Sequence, residues 1–362
     1  MKIDMVQPDV KELISNPDYL AYKINFETEN LEFLATKQQT IQQASFLRRD
    51  VIAPDQPLIP VPLSALVSQL GSLSQSVVDN PPRFIFHTAY CASTFLSKSL
   101  DVRGHSIGLR EPQILLDAAN AKRLQWRSTT THLDYTKLPE LALGLLQKHA
   151  QADEKLIIKP INSVNNIIPE LLRASPSSRS ILLYTDAKNF LCSTLRKGEH
   201  GRQRTRAMFD LLRCDFPQLA NLGLSDVIHM SDLKIILTFW RLQIEQAQQA
   251  LKTFTNDNKL VSLYAEKLIN GAHAALPAIS EHLHLGISSS KIQQIASSDD
   301  RLRDAKNPEQ QFSLQKRADS YRKVEEFYGT DLDNGYHWVT QNNPSVALYP
   351  KLGNALSLAE TA

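Results

Sequence analysis

Cysteine is scarce in this 362-residue chain, which carries only Cys91, Cys192 and Cys214. Three widely spaced thiols make neither a disulfide framework nor a zinc-ligand pattern, and they point to a reducing compartment. An excess of one charge is also missing: 40 Lys and Arg face 38 Asp and Glu, a formal net charge of +2. That balance argues against a nucleic-acid surface and against an acidic tail, so basic residues must act locally. No run approaches the length of a membrane-spanning helix. The opening MKIDMVQPDVKEL lacks the apolar core of a signal peptide. Internal repeats and low-complexity tracts are absent as well. The expectation is a soluble, cytoplasmic protein with no membrane and no nucleic-acid partner. Its hydrophobic content of 42% suffices for one large α/β domain or two smaller ones.

Five short apolar runs stand out, at Arg83–Thr88, His105–Leu109, Lys155–Lys159, Ser180–Thr185 and Lys259–Tyr264. Helical patterns separate them, from about Gln113, at Asn166–Ala174, from about Lys188 and over Ser231–Thr253. Short apolar strands alternating with helices predict a mostly parallel sheet covered on both faces, a three-layer α/β fold. Residues 1–80 read as an N-terminal extension packed on a core domain of 81–362, whose C-terminal part is helical. Within the extension, the proline-rich Asp50–Pro62 must be extended and Leu63–Leu73 is a short helix.

The stretch RFIFHTAYCASTFLSKSL, Arg83 to Leu100, reads as a buried strand, a tight turn of small polar residues and a helix. A helix start fed by a parallel strand offers unpaired N–H groups and a positive dipole end to an anion. Ala89, Ala92 and Ser93 let the backbone approach closely, and Ser93 and Thr94 add hydroxyls. Yet the turn lacks the glycine and lysine of the GxxxxGK[ST] loop, so magnesium-dependent phosphoryl chemistry is poorly supported. A joint that holds nothing has the same local pattern.

A second stretch, LLYTDAKNFLCSTLRK at Leu182–Lys197, completes a resemblance. Together the two resemble the sulfotransferase family, P-loop enzymes that use 3′-phosphoadenylyl sulfate, in a divergent bacterial-type form. The family's first loop has the form (Arg/Lys)-Ser-Gly-Thr-Thr and holds the 5′-phosphosulfate. Tyr90-Cys91-Ala92-Ser93-Thr94 falls on it and keeps the last two hydroxyl positions. A later motif, Arg-Asp-Pro-Arg-Asp-Val-x-x-Ser, holds the 3′-phosphate, and Thr185–Ser193 fits its spacing with Asp186, Lys188 and Ser193 retained. Gly108–Pro112, Lys159-Pro160-Ile161-Asn162 and Tyr264–Leu268 resemble three further segments in the family's order. The likeness spans roughly residues 81–285.

What the resemblance implies is transfer of a sulfonate from 3′-phosphoadenylyl sulfate to the hydroxyl of a small-molecule, carbohydrate or peptide acceptor, with no metal. Tyr90, Cys91, Ala92, Ser93, Thr94, Lys188 and Ser193 would bind the donor. Glu111 would be the base and Lys159 the cation beside the transferring group. Two cations of the family pattern are replaced, by Tyr90 and Thr185; Lys98, Lys188 and Arg196-Lys197 are nearby substitutes. The basic run Arg196–Arg206 is read as a flap over the 3′-phosphate or as a solvated loop. Glu111 could instead pair with Arg110 or Lys122, and Lys159 could simply end a strand at the surface. His87 is an alternative base or a satisfied core histidine, Cys91 a minor candidate nucleophile, Trp240 a core residue. Arg301, Lys306 and Arg317 lie where the family's tails close over the donor. A kinase-like nucleotide-binding protein and a non-catalytic relative of the fold are the competing readings.

Overall fold

The computed structural model describes residues 8–298, 314–342 and 347–358. Five strands form one sheet: β4 (Arg83–His87), β5 (Ser106–Arg110), β6 (Lys155–Lys159), β7 (Ser180–Tyr184) and β8 (Leu260–Tyr264). Three more, β1 (Tyr19–Asn25), β2 (Asn30–Ala35) and β3 (Leu58–Pro62), form a separate antiparallel sheet in the order β1-β2-β3. The five-stranded order is β5-β6-β4-β7-β8, and the pairs β4–β6, β5–β6 and β7–β8 run parallel. β4, β5 and β7 are buried along their whole length. Strands covered on both faces need continuous apolar runs, which is why the five were legible in the sequence.

The order puts a topological switch point between β4 and β7. After β4 the chain leaves toward β5, on one side; after β7 it leaves toward β8, on the other. Between β4 and β7 the connections therefore diverge, and the strands' carboxyl ends at such a switch point are the usual ligand position of open α/β sheets. The Thr88 N–H donates to Leu183 O at 3.0 Å and continues the β4–β7 pairing to that end.

By backbone contacts the chain divides into two compact units. The first comprises Met1–Phe84, Leu100–Pro160 and Ile167–Ser178. It contains the antiparallel sheet, a feature the sequence reading of residues 1–80 did not include beyond an extended Asp50–Pro62. β3, LIPVP, carries two prolines and lies at the edge of that sheet, the position where a missing N–H is tolerated. The Ile24 N–H of β1 donates to the buried Asp117 carboxylate at 2.8 Å, tying the sheet to helix Gln113–Arg123. Burial pushes the Asp117 pKa up to about 6.

His149, fully buried, is held by Gln38: the amide Nε2 donates to His149 O at 2.7 Å and Oε1 faces Nδ1 at 3.2 Å. Burial, helped by neighbouring Lys148, pushes the His149 pKa down to about 3. Burial likewise lowers Lys148 to about 7, where its Nζ donates to Leu13 O. Below about pH 6.5 the unfolded chain takes up a proton at His149 that the folded chain refuses. Stability is therefore lost as pH falls from there toward the folded value; at pH 5 the loss is about 2 kcal/mol. Asp117, raised instead of lowered, works in the opposite sense between its ordinary and its folded pKa, so the comparison must be with a variant that keeps it. Urea unfolding of the protein and of His149→Gln at pH 7, 6 and 5 should show the difference between them shift by about that amount. Parallel pH profiles would remove His149 as a source of acid sensitivity.

The second unit comprises Ile85–Ser99, Ile161–Asn166 and Arg179–Ala362. Its longest buried helix, Asp232–Thr253, starts at Ser231, whose hydroxyl accepts from the Lys234 N–H. Trp240 on it is fully buried and donates through Nε1 to Thr185 O at 2.9 Å, so it is core, as expected. Arg196–Arg206 is not a loop: most of it belongs to helix Gly198–Arg213. Gly201, Thr205, Phe209 and Leu212 form its buried stripe, at helical spacing. A side chain at Gly201 would run into Thr194 O, so glycine permits the close approach of this helix to Ala187–Leu195. No helix among the described residues is long and apolar enough to cross a membrane.

Candidate functional site

In the second unit β4 ends at His87 and helix Ser93–Ser99 begins six residues later. Three residues of the joint, Ala89, Tyr90 and Ala92, are left-handed, with φ of +62°, +52° and +59°. None is glycine, and alanine is among the residues with no local compensation in this region. Strain of about 1–3 kcal/mol per residue persists only where surrounding structure imposes it, and it gathers at functional sites. The joint is imposed from both sides. The Ala89 N–H donates to His87 Nδ1 at 3.0 Å, so His87 Nδ1 is an acceptor here and not a proton donor. Asn165 Nδ2 donates to His87 O at 3.0 Å. Leu96 is the first N–H to close a helical turn, on Ala92 O, so the N–H groups before it lie ahead of the helical ladder.

Buried polar atoms without a hydrogen-bond partner collect at the same strand ends: Thr88 Oγ1, Asn165 Oδ1 and Thr185 Oγ1. Thr88 and Thr185 are fully buried and Asn165 is 2% exposed. Leaving such atoms unpaired costs about 1–3 kcal/mol each. A polar ligand or ordered water between β4 and β7 would satisfy them.

The loop touches the segment after β7. The Tyr90 ring meets Phe190 edge-on, with centroids 5.1 Å apart. Lys197 Nζ lies 4.6 Å from the centroid of the Tyr90 ring. Where the family pattern has a loop cation, this chain has an aromatic ring with a lysine over its face, an attractive cation–π arrangement. Asp186 caps helix Ala187–Leu195: it accepts from the Asn189 N–H at 2.8 Å and from Tyr264 OH at 2.6 Å. Burial and the Asp186 carboxylate push the Tyr264 pKa up, which keeps its hydroxyl a donor. Burial pushes the Cys192 thiol up to about 11, so it is no nucleophile near neutrality.

Ser193 and Lys188 lie on this helix one and a half turns apart, and the C-terminal helix Leu314–Asn342 covers both. Ser193 Oγ and Tyr321 OH are 2.5 Å apart. Lys188 Nζ is 2.7 Å from Glu325 Oε1, and that carboxylate raises the lysine pKa. Arg317 on the same helix pairs with Glu266 at 2.5 Å and reaches Asn189 Oδ1 at 3.4 Å. Tyr321 and Glu325 were missed by the sequence reading, because nothing local in a polar C-terminal helix says which side chains return to the β7 end. Arg301 and Lys306 lie outside the described residues.

The remaining two candidates, Glu111 and Lys159, come together in the first unit. Lys159 Nζ lies 2.7 Å from Glu111 Oε1, with side chains 0% and 19% exposed. The Phe46 ring centroid is 5.9 Å from the same nitrogen. Arg110 pairs with Asp101 and Lys122 with Glu170, so neither expected alternative partner takes Glu111. Lys159 does not end its strand at the surface. Glu111 is left-handed, φ +58°, and its N–H donates to Lys159 O at 2.7 Å. Asn162 of the same segment is committed elsewhere, donating to Gln243 Oε1 at 2.7 Å.

Neither of two surface cavities, of about 650 and 330 Å³, is lined by a residue of the Tyr90–Thr94 loop. No protein-family model matches the chain, and no curated protein does. Among solved structures it is similar to the sulfotransferase domain from the curacin biosynthetic pathway, with 13% identity over 68% of this chain and 97% of that one, at a TM-score of 0.41. It is also similar to sulfotransferase STF9 from Mycobacterium avium, with 11% identity over 74% of this chain and 81% of that one, at a TM-score of 0.39.

Proposed function

We propose that the switch point between the ends of β4 and β7 binds the phosphates of 3′-phosphoadenylyl sulfate and that the chain transfers its sulfonate to an acceptor hydroxyl. The observation that carries this reading is the run of three left-handed, non-glycine residues, Ala89, Tyr90 and Ala92, in a strand–helix joint. Tight turns at the start of a helix are where anion-binding loops present backbone N–H groups, and the N–H groups before Leu96 lie ahead of the helical ladder here. The partnerless Thr88, Asn165 and Thr185 atoms at the same strand ends fit a ligand rich in acceptors and hydroxyls. The order of the sequence motifs agrees with it.

In this reading the loop of Tyr90, Cys91, Ala92, Ser93 and Thr94 holds the phosphosulfate. Lys197 over the Tyr90 ring supplies the positive charge that the loop lacks. Ser193 and Lys188 hold the 3′-phosphate. The acceptor oxygen forms a bond to sulfur, the bond from sulfur to the bridging phosphate oxygen breaks, and the phosphate leaves with that electron pair. The acceptor proton goes to a base, for which Glu111 is the candidate; Lys159 is its charge partner. A P-loop kinase has less support, since no lysine stands in the turn.

Thermal unfolding with 3′,5′-adenosine bisphosphate, with ATP plus magnesium, and with buffer tests the proposal. The bisphosphate should raise the transition most, because a ligand at a hundred times its dissociation constant adds about 2.7 kcal/mol. Combining Ser193→Ala with Lys188→Ala should abolish that rise. An undiminished rise would place the 3′-phosphate elsewhere, and a larger response to ATP plus magnesium would favour the kinase-like reading.

One observation favours a second reading, a non-catalytic relative whose donor site is closed by its own chain. Tyr321 and Glu325 already engage both residues assigned to the 3′-phosphate. A flat response to all three ligands would support it.

A further inference from the structure

We infer that the first unit's surface hollow between Arg48, Arg49 and Tyr22 binds a hydroxyl compound bearing one carboxylate. The carboxylate site stands on its own geometry and is independent of the transfer reading.

The cavity, about 650 Å³, is lined by Tyr22, Arg48, Arg49, Asp50, Pro54 and Gln113. Its walls are placed by main-chain contacts and not by chance exposure. The β1–β2 register slips between Ala21 and Lys23, so Tyr22 sits at a bulge, a device that re-aims a side chain. Its hydroxyl accepts from the Arg49 N–H at 3.1 Å. The Leu47 N–H donates to Arg110 O at 2.9 Å, which sets Arg48 and Arg49 beside the end of β5, next to Glu111. Gln113, two residues beyond Glu111, also lines the cavity. Phe46, just before Leu47, has its ring near Lys159 Nζ. The lining residues thus lie close in sequence to Phe46 and Glu111, though neither Glu111 nor Lys159 lines the hollow.

Charge selects the ligand. Two guanidiniums face one carboxylate, Asp50, which leaves a single positive charge on the lining. Arg49 is fixed by Gln56 O at 2.7 Å, and its buried Nε has no hydrogen-bond partner. Arg48 pairs with Asp50 at 2.5 Å, but the two side chains are 63% and 61% exposed. Such a pair contributes only about 0–1 kcal/mol and yields easily to a ligand. A ligand carboxylate can bind a guanidinium through two parallel hydrogen bonds, the strong geometry. Asp50 first, and Glu111 more weakly, hold Arg48 in its charged form. Both carboxylates disfavour a dianion, so a monoanionic carboxylate fits better than a phosphate monoester. The Tyr22 ring and Pro54 offer an apolar wall for a sugar or aryl ring.

Calorimetry on the full chain with 4-nitrophenyl β-D-glucuronide and 4-nitrophenyl β-D-glucoside isolates the carboxylate. The glucuronide should bind at least about tenfold more tightly, and Arg48→Gln with Arg49→Gln should erase the difference. Arg48→Gln alone, at an exposed position, should reduce it and guards against misfolding of the double variant. Equal affinities in the unmodified protein, or an unchanged preference in both variants, would overturn the inference. Tighter binding of 4-nitrophenyl phosphate than of the glucuronide would overturn the choice of carboxylate. The bisphosphate thermal shift, measured on the same preparation, separates the two proposals. A donor shift without carboxylate preference sinks this inference alone. Carboxylate preference without a donor shift leaves the pocket and removes the transfer reading.

Discussion

Glu111→Ala should destabilise the protein by about 3–5 kcal/mol, the usual cost of stranding a buried charge, and Lys159→Met should cost clearly less. The asymmetry follows from burial. The Lys159 side chain has no exposure, whereas that of Glu111 is 19% exposed. Removing the carboxylate leaves an ammonium without its counter-charge in a low-dielectric interior. Removing the lysine leaves a carboxylate that still reaches water, and methionine refills the volume with a flexible apolar chain. The double variant should lie near Lys159→Met, because the stranded charge is gone. The left-handed backbone at residue 111 is common to glutamate and alanine, so it does not confound the comparison. Urea unfolding of the four proteins measures the coupling. Equal losses in the two single variants would show that the pair is not organised around the buried lysine. If the transfer reading holds, Glu111→Gln in addition keeps bisphosphate binding and loses turnover; retained turnover would remove Glu111 as the base.

Tyr321→Phe combined with Glu325→Gln should tighten 3′,5′-adenosine bisphosphate binding about tenfold. A phosphate arriving at Ser193 and Lys188 must first displace the Tyr321 hydroxyl and the Glu325 carboxylate. The hydroxyl contact contributes about 0.5–1.5 kcal/mol. The Lys188–Glu325 pair, with side chains 45% and 37% exposed, adds about 0–1 kcal/mol. Their sum is near the 1.4 kcal/mol that changes affinity about tenfold. Weaker binding in the variant would mean that Tyr321 and Glu325 help to hold the ligand. Unchanged binding would mean that the phosphate does not sit at Ser193. The same measurement separates an enzyme with a covered donor site from a relative that has lost it, because only the first gains affinity when the cover is loosened.

Much of the sheet was legible. The five strand readings meet the structure to within a residue at each end, because a strand buried on both faces writes itself as a run of β-branched and leucine residues. β1–β3 were not read as strands. Their burial alternates irregularly, β1 is interrupted by the slip at Tyr22, and β3 carries prolines that only an edge strand accepts. The charged run after Ser193 misled in another way. Its composition reads as solvent, but Gly201, Thr205, Phe209 and Leu212 are spaced to bury one helical face.

Sequence alone determined where the strands and their trailing loops fall, because periodicity and apolar content are local properties of the chain. It also determined that Ser93, Thr94 and Ser193 stand where hydroxyls follow strands. The tertiary structure decided the rest: that Lys159 is buried against Glu111, that Lys197 covers the ring of Tyr90, and that Tyr321 and Glu325 return to Ser193 and Lys188 from far along the chain. Those pairings join residues distant in sequence, and such contacts depend on strand order and helix packing, for which no local pattern exists.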